Sequence, residues 1–216
     1  MFSVIILAAG QGSRMNLGYN KMFYEIEAGL SIIEKSVKSF LFHEMIDEII
    51  VVCQLDEFDK MQEILNEYPV KLTSGGSQRY DSVWEGLKIV KNNYVLIHDG
   101  ARCFISYEKI AKVIKATLEN QATCLAMPAN DTIHLVKQGY LSKTLDRQDV
   151  YLAQTPQGFR VDIIKEAYQK FFSSSKTLMV TDDAMLVNEF TDYQVLIVKS
   201  DSSNQKITNL EDIEND

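Results

Sequence analysis

Short runs of apolar, β-branched residues alternate along the chain with longer stretches whose apolar side chains recur every three or four positions. The runs at 3–7 (SVIIL), 46–53 (IDEIIVVC), 69–72 (PVKL), 93–99 (NYVLIHD) and 122–127 (ATCLAM) have the length and near-continuous apolar character of strands buried on both faces. Between them, 30–44, 55–68, 82–92 and 106–120 carry the stripe of amphipathic helices. In the last of these, Ile110, Val113, Ile114 and Leu118 fall on one face. This alternation predicts an α/β chain with a Rossmann-like, mostly parallel open sheet and helices on both faces. Ligands of such a sheet bind beyond the carboxyl ends of its strands.

The pattern breaks between about 129 and 147. Two polar, β-tending stretches flank Lys137-Gln138-Gly139 and read as a hairpin with a glycine turn. A lone hairpin of this kind has little core and is marginal by itself, so an arm over about 129–150 is expected to lie on a partner. Beyond it come a helix near 160–172, a serine-rich loop at 173–176, a helix opening at Thr181-Asp182-Asp183, and a last strand at 193–198. Thr181 fits the cap of that helix, with acidic residues in the first turn. No repeat or long linker appears, so 1–216 is expected to form one domain with an arm.

Composition narrows the chemistry. The 216 residues are 46% hydrophobic, which supports a sizeable core, and carry a formal net charge of −8. That charge argues against a general nucleic-acid binder, which needs a basic face to displace counterions. A phosphorylated ligand would have to be held by a few placed cations. Cys53, Cys103 and Cys124 fit neither a zinc spacing nor a disulfide framework, and predict reduced thiols in a cytoplasmic protein. No apolar run approaches the roughly 18 residues that cross a bilayer, and none points to a membrane partner. The apolar start lacks a basic flank and runs into a glycine loop, so a strand is expected there and not a signal peptide.

That loop, LAAGQGSRMNLGYNKMF at 7–23, is the first candidate site. A dinucleotide fingerprint fails because Met15 stands where a third glycine is needed, and a P-loop fails because Lys21 lies between Asn20 and Met22. What remains is Gly10, Gly12 and Arg14 with Lys21 downstream: amides able to wrap oxygens, plus two cations. The combination suits a triphosphate. Gly75 and Gly76 follow a strand and allow a flat base to approach the main chain; Arg79 comes next, and Ser82 is expected to open a helix, either capping it or bonding a ligand. His98-Asp99-Gly100-Ala101-Arg102 ends the fourth strand. Asp99 there is a candidate Mg²⁺ ligand and Arg102 a candidate phosphate clamp, while His98 is expected to be structural. The tyrosines and the eight methionines read as packing residues.

Taken together, LAAGQGSRM with Lys21, GGSQRYDSV, HDGAR, NDTI, QTPQGF, TDDA and NQKITNLEDI resemble, in order along nearly the whole chain, the 2-C-methyl-D-erythritol 4-phosphate cytidylyltransferases. The resemblance implies a fold of the nucleotide-diphospho-sugar transferase type and CMP transfer from CTP to a polyol phosphate. By its motifs, Arg14 and Lys21 hold the triphosphate and stabilise the transition state. Ala8, Ala9, Gly75, Gly76 and Ser82 form the cytosine and ribose pocket. Asp99 binds Mg²⁺, with Asp201 as a looser second acidic group. Arg102, Thr132, Arg147, Thr155 and Lys206 position the sugar phosphate, and Lys206 adds positive charge. The arm bearing Thr132 and Arg147 is implied to reach a neighbouring subunit in a homodimer. Departures from the family pattern are Asn20 and Met22 around Lys21, Gly100 and Cys103 around Arg102, and Tyr151. The alternatives are a ribitol-5-phosphate cytidylyltransferase and a nucleotide-binding homologue weakened in catalysis.

Overall fold

The chain begins with β1 (Phe2–Leu7), a short hairpin of β2 (Glu25–Glu27) and β3 (Leu30–Ser31), and α1 (Ile32–Leu41). It continues through β4 (Ile46–Cys53), α2 (Phe58–Ile64), β5 (Val70–Ser74), α3 (Arg79–Ile89), β6 (Tyr94–Asp99), α4 (Tyr107–Asn120) and β7 (Ala122–Pro128). The arm is β8 (His134–Lys137) and β9 (Tyr140–Thr144), followed by β10 (Tyr151–Arg160), α5 (Val161–Ser173), α6 (Asp183–Phe190), β11 (Leu196–Lys199) and α7 (Glu211–Glu214). This computed structural model describes residues 1–10, 15, 17–27, 29–176 and 178–214.

Seven strands form the main sheet in the order β11-β7-β10-β6-β1-β4-β5. From β1 the chain steps outward to β4 and β5, then returns to place β6 on the other flank of β1. The reversal opens a crevice outside the carboxyl ends of β1 and β6, the place where such sheets bind ligands. The sheet is covered on both sides because its side chains alternate with period two. Val4 and Ile6 join Ile49, Val51 and Leu96 in one core beneath α1, α2 and α4. Ile5 joins Ile50, Val52, Val95 and Ile97 in a second core against α3, α5 and α6. Each such aliphatic side chain contributes about 1.5–3 kcal/mol by its burial.

The parallel strands and helices lie close to their expected positions. Ten residues of β10 were not anticipated as a strand, and they run antiparallel between β6 and β7. Gln154, Thr155, Pro156, Gln157 and Gly158 break the apolar run that would have marked it. Pairing with β7 is irregular between Ala153 and Gln157. The buried polar side chains are nonetheless satisfied: Gln154 Nε2 donates to the Asp201 carbonyl at 3.1 Å, and Gln157 Oε1 accepts from the Asp183 and Ala184 amides at 3.1 and 2.8 Å. A side chain at 158 would meet Thr117 Oγ1 at 2.1 Å, so only glycine lets β10 pass this close to α4.

The arm turns at Gln138 (φ 52°) and Gly139 (φ 84°), the pair of positive φ values that a two-residue type I′ hairpin requires. Every residue of β8 and β9 is exposed, including Val136 at 60%, Leu141 at 61% and Tyr140 at 80%. The stretch read as polar thus presents several apolar side chains, and nothing within the described residues covers them.

Candidate active site

A cavity of about 480 Å³ lies at the carboxyl ends of β1, β4, β5 and β6. Leu7 to Gly10, Gln54, Gly76 to Arg79, and Asp99 with Ala101 line it from those four strand ends; Lys21, Met22, Ser82, Lys206 and Thr208 complete the wall. The strand-end loops are stitched together by main-chain bonds: Ala8 N–H donates to Val52 O at 2.7 Å, Gly75 N–H to Cys53 O at 2.7 Å, and Gly100 N–H to Leu7 O at 3.0 Å. A strap at 204–208 crosses the opening, held by Ile207 N–H to Ala101 O at 2.8 Å. Asn204 Nδ2 fastens the same strap, donating to Thr155 O at 2.8 Å and Gln154 Oε1 at 3.0 Å.

Four charges organise the centre. Asp99 Oδ2 accepts from Lys206 Nζ at 2.7 Å, and Oδ1 from Arg79 Nε at 3.3 Å. Arg79 Nη2 donates to Asp183 Oδ2 at 2.8 Å, and the Tyr168 hydroxyl donates to Asp183 Oδ1 at 2.6 Å. Burial alone would raise the Asp99 pKa, but Arg79, Lys206 and Arg102 outweigh it and hold the carboxyl well below its usual range. Burial would lower that of Arg79, yet Asp183 and then Asp99 raise it. Two acids and two bases thus neutralise one another, with the Asp183 side chain fully buried and that of Asp99 nearly so, the condition under which buried charge is tolerated. Arg79 Nη1 is buried and finds no acceptor among the described residues, so the guanidinium retains capacity for an anionic oxygen.

Lys21 sits in a 3-10 turn at Lys21–Phe23. It is 8% exposed and its Nζ donates to Ile207 O at 2.6 Å. Ser82 does not open its helix as expected. The N-cap is Gln78, whose N–H is received by Asp81 at 3.0 Å, and α3 starts at Arg79. Ser82 faces back from the first turn to accept from Gly76 N–H at 3.2 Å. The two glycines are explained by this packing, since a Cβ at 75 would meet Ser82 Oγ at 2.7 Å and one at 76 would meet Asp81 Cβ at 2.3 Å. Of the pair, only Gly76 lines the cavity.

His98 is fully buried, and burial drives its pKa down to about 3 against the opposing pull of Asp99. Its partners define the tautomer: Nε2 faces the Arg102 carbonyl at 3.2 Å and carries the proton, while Nδ1 accepts from Thr155 Oγ1 at 3.1 Å. Thr155 Oγ1 in turn accepts the Asp99 amide proton at 3.0 Å. The Thr155 hydroxyl, expected on the substrate, is therefore engaged within the fold. Arg102 donates through Nη1 to Asn204 O at 2.8 Å, and its buried Nε lacks an acceptor among the described residues.

Lys21, Gly10, Ala8, Ala9, Gly76, Arg79, Ser82, Asp99 and Lys206 come together at the cavity. Thr132 and Arg147 do not: both are exposed at the base of the arm, where Arg147 Nη1 donates to Asn130 O at 2.8 Å. Nor does Asp201, whose carboxylate takes bonds from Ser203 and an ion pair from Lys109 at 3.1 Å. Those contacts, the serine first, lower its pKa to about 2. Gly12 and Arg14 lie outside the described residues. Sequence reasoning overlooked Gln54, Asn204, and above all Asp183. The helix there is capped by Asp182, which accepts from Met185 N–H at 2.9 Å, and not by Thr181. Asp183, fully buried, is the counterion of Arg79. A second acidic residue directly after a cap was the available signal.

Among the described residues no group of three or more His, Cys, Asp or Glu could hold a metal ion. Among the described residues Asp99 is the one acidic side chain lining the cavity, ionised and able to offer a hard oxygen. That suits an ion such as Mg²⁺, which binds through one or two carboxylates plus substrate phosphates.

Comparison with known proteins agrees with this arrangement. The family model described as 2-C-methyl-D-erythritol 4-phosphate cytidylyltransferase matches residues 2–215. Proteins of that name from Bacillus pumilus and Clostridioides difficile are 38% and 39% identical; the alignments cover 98% and 99% of this chain, and 93% and 91% of theirs. A crystal structure of 4-diphosphocytidyl-2C-methyl-D-erythritol synthase from Anaerococcus prevotii superposes with TM-score 0.88 at 34% identity, covering 100% of this chain and 93% of that one. The Francisella tularensis cytidylyltransferase gives TM-score 0.85 at 30% identity, covering 99% and 97%. By sequence and by fold, this chain belongs to the 2-C-methyl-D-erythritol 4-phosphate cytidylyltransferase family.

Proposed function

We propose that this chain is a cytoplasmic enzyme that transfers CMP from CTP to 2-C-methyl-D-erythritol 4-phosphate, giving 4-diphosphocytidyl-2-C-methyl-D-erythritol and pyrophosphate. The observation that carries the reading is the strand-end cavity, lined by the cations Lys21, Arg79 and Lys206, in a chain of this family. We read 1–216 as a single nucleotidyltransferase unit bearing an arm.

The attacking group needs no strong base. A phosphate monoester has its second pKa near about 6 and is mostly dianionic at neutral pH. Its oxygen forms a bond to the α-phosphorus of CTP while the bond to the departing pyrophosphate breaks in line. Catalysis then rests on positioning and on neutralising the charge that gathers on the leaving group. Arg14 and Lys21 grip the triphosphate, with the Gly10 and Gly12 amides beside them. The main chain at Ala8, Ala9, Gly75 and Gly76, with Arg79 and Ser82, receives the nucleoside. Arg102 and Lys206 orient the polyol phosphate, Thr155 being held behind them by His98 and the Asp99 amide, and Lys206 is free to follow the substrate once another cation satisfies Asp99. Mg²⁺ carried in with CTP, held by Asp99, would screen the triphosphate's charge. The assignment of Asp201 as a further ligand gains no support from its pairing with Lys109.

A homodimer accounts for the remaining residues. The exposed apolar side chains of the arm need cover, and a second copy would bring Thr132 and Arg147 to the neighbouring cavity. The test is pyrophosphate release from CTP with each polyol phosphate in turn. Turnover with methylerythritol phosphate at least about 100-fold more efficient than with ribitol 5-phosphate is expected, a ratio that hydrogen-bonding sites readily reach. The reverse preference would make the chain a ribitol-phosphate enzyme, and no release with either would make it a binding protein.

A further inference from the structure

Asn20 has no chemistry of its own, yet it is 4% exposed and uses every polar atom of its side chain. Oδ1 accepts from Met22 N–H at 3.0 Å, capping the turn that contains Lys21. Nδ2 spends one hydrogen on Ala8 O at 2.9 Å and the other on Glu57 Oε2 at 2.7 Å. A carboxamide supplies one acceptor and two donors, and the three partners here are one donor and two acceptors. Only this orientation of the amide works, because a flip would set Oδ1 against a carbonyl and a carboxylate. Asn20 therefore joins three pieces of the molecule: the end of β1 where the cavity begins, the Lys21 turn, and the 3-10 turn at Leu55–Glu57 that follows β4.

The consequence concerns Lys21. A lysine side chain has four rotatable bonds and places its ammonium only as well as its Cα is placed. At the far end, Nζ meets Ile207 O at 2.6 Å; at the near end, the backbone is held through the cap from Asn20. We infer that Asn20, anchored by Glu57, is a positioning residue that sets the Lys21 ammonium at the cavity, so that its loss lowers turnover through Lys21 alone. This rests on the proposed role of Lys21, and the test separates the two.

The experiment is a cycle of four proteins, the parent, Asn20→Ala, Lys21→Ala and the double variant, assayed by pyrophosphate release from CTP and methylerythritol phosphate. Misplacement of a catalytic group by about 1 Å can cost about 100-fold. Asn20→Ala is accordingly expected to lower kcat about 10- to 100-fold with the KM for CTP changed less than about threefold. Added to Lys21→Ala, it should cost less than about twofold more, the non-additivity of residues acting as a unit. Additive losses would overturn the inference and leave the role of Lys21 intact. Near-parent activity of Lys21→Ala would overturn that role and the inference with it. Should Asn20→Ala melt below the assay temperature, the Glu57 anchor decides. Glu57→Ala is expected to lose about tenfold in kcat, and Glu57→Gln, whose amide oxygen still accepts from Asn20, at least about threefold less; equal losses would overturn the inference.

Discussion

At the cavity, Asp99, Arg79, Asp183 and Lys206 close a circuit of charges within one chain, and the strap above it is pinned by Asn204. On the arm, β8 and β9 expose both faces, and apolar side chains stand in solvent. The charges of one region find partners within the single chain; the other has shape but, among the described residues, no cover. The contrast teaches where to look for what a single copy lacks. Residues proposed for the nucleotide are gathered by strand ends that the two cores hold, whereas Thr132 and Arg147, implied by the resemblance to be substrate ligands, are carried on an element whose own contacts do not place them at the cavity.

The sharpest way to break the contrast is Lys21→Ala. Removing one preorganised donor to developing charge costs about 10²–10³ in kcat, and Lys21 reaches the wall of the cavity, so a loss of about 10³ is expected with the fold intact. Near-parent turnover would empty the cavity of its assigned chemistry. Next in size is Asp183→Asn. The replacement keeps the shape but leaves Arg79 buried with Asp99 as its one ionic partner, and breaking a buried pair costs about 3 kcal/mol. Urea unfolding should show that loss in the midpoint at constant slope. A change under about 1 kcal/mol would mean that the circuit is less cut off from water than its burial indicates.

The arm is tested by Arg147→Ala. Among the described residues its guanidinium bonds the Asn130 carbonyl at an exposed site, so stability should hardly move. If a neighbouring copy presents it to the sugar phosphate, the KM for that substrate rises about 30-fold, a charge-assisted contact of about 2 kcal/mol, while the KM for CTP stays put. Equal effects on both would place the residue elsewhere. Asp substitution of Val136 and Leu141 together is the companion measurement: a shift to monomers by ultracentrifugation is expected, and an unchanged state would leave the arm's apolar residues without an explanation.

Much of this was legible beforehand because parallel strands buried on both faces announce themselves as apolar runs, and the helices between them by their stripes. The turn beside Gly139 was visible for a related reason, since glycine tolerates the positive φ found there. What stayed hidden had polar residues in buried places. β10 buries Gln154, Thr155 and Gln157, which no periodicity marks, and which are stable there only through partners far off in the chain. Asp183 was read as a first-turn acid, which it is, and its pairing with Arg79 was missed because that partner lies 104 positions away. Asn20 stood out only as a departure beside Lys21, and its role depends on Ala8 and Glu57, which the fold brings to it.

The smallest effect expected belongs to His98, and it bears on how firmly the cavity floor is shut. The ring is neutral, donating to the Arg102 carbonyl and accepting from Thr155, and burial depresses its pKa to about 3. An unfolded histidine titrates near about 6.5. Below that value the unfolded chain binds a proton that the folded chain refuses, so this contribution is fully present above about pH 6.5 and is lost as pH falls toward about 3, by about 1.4 kcal/mol for each unit. Other groups titrate in the same range, so the measurement is a difference. Stability of the parent and of His98→Gln should be compared by urea unfolding between about pH 7.5 and pH 5, a window set by the two pKa values. The variant is expected to start less stable and to fall less steeply, the gap narrowing as acid is added. Parallel curves would mean that the ring is protonated in place as readily as in water, and that the floor beneath Asp99 opens far more often than the bonds around it imply.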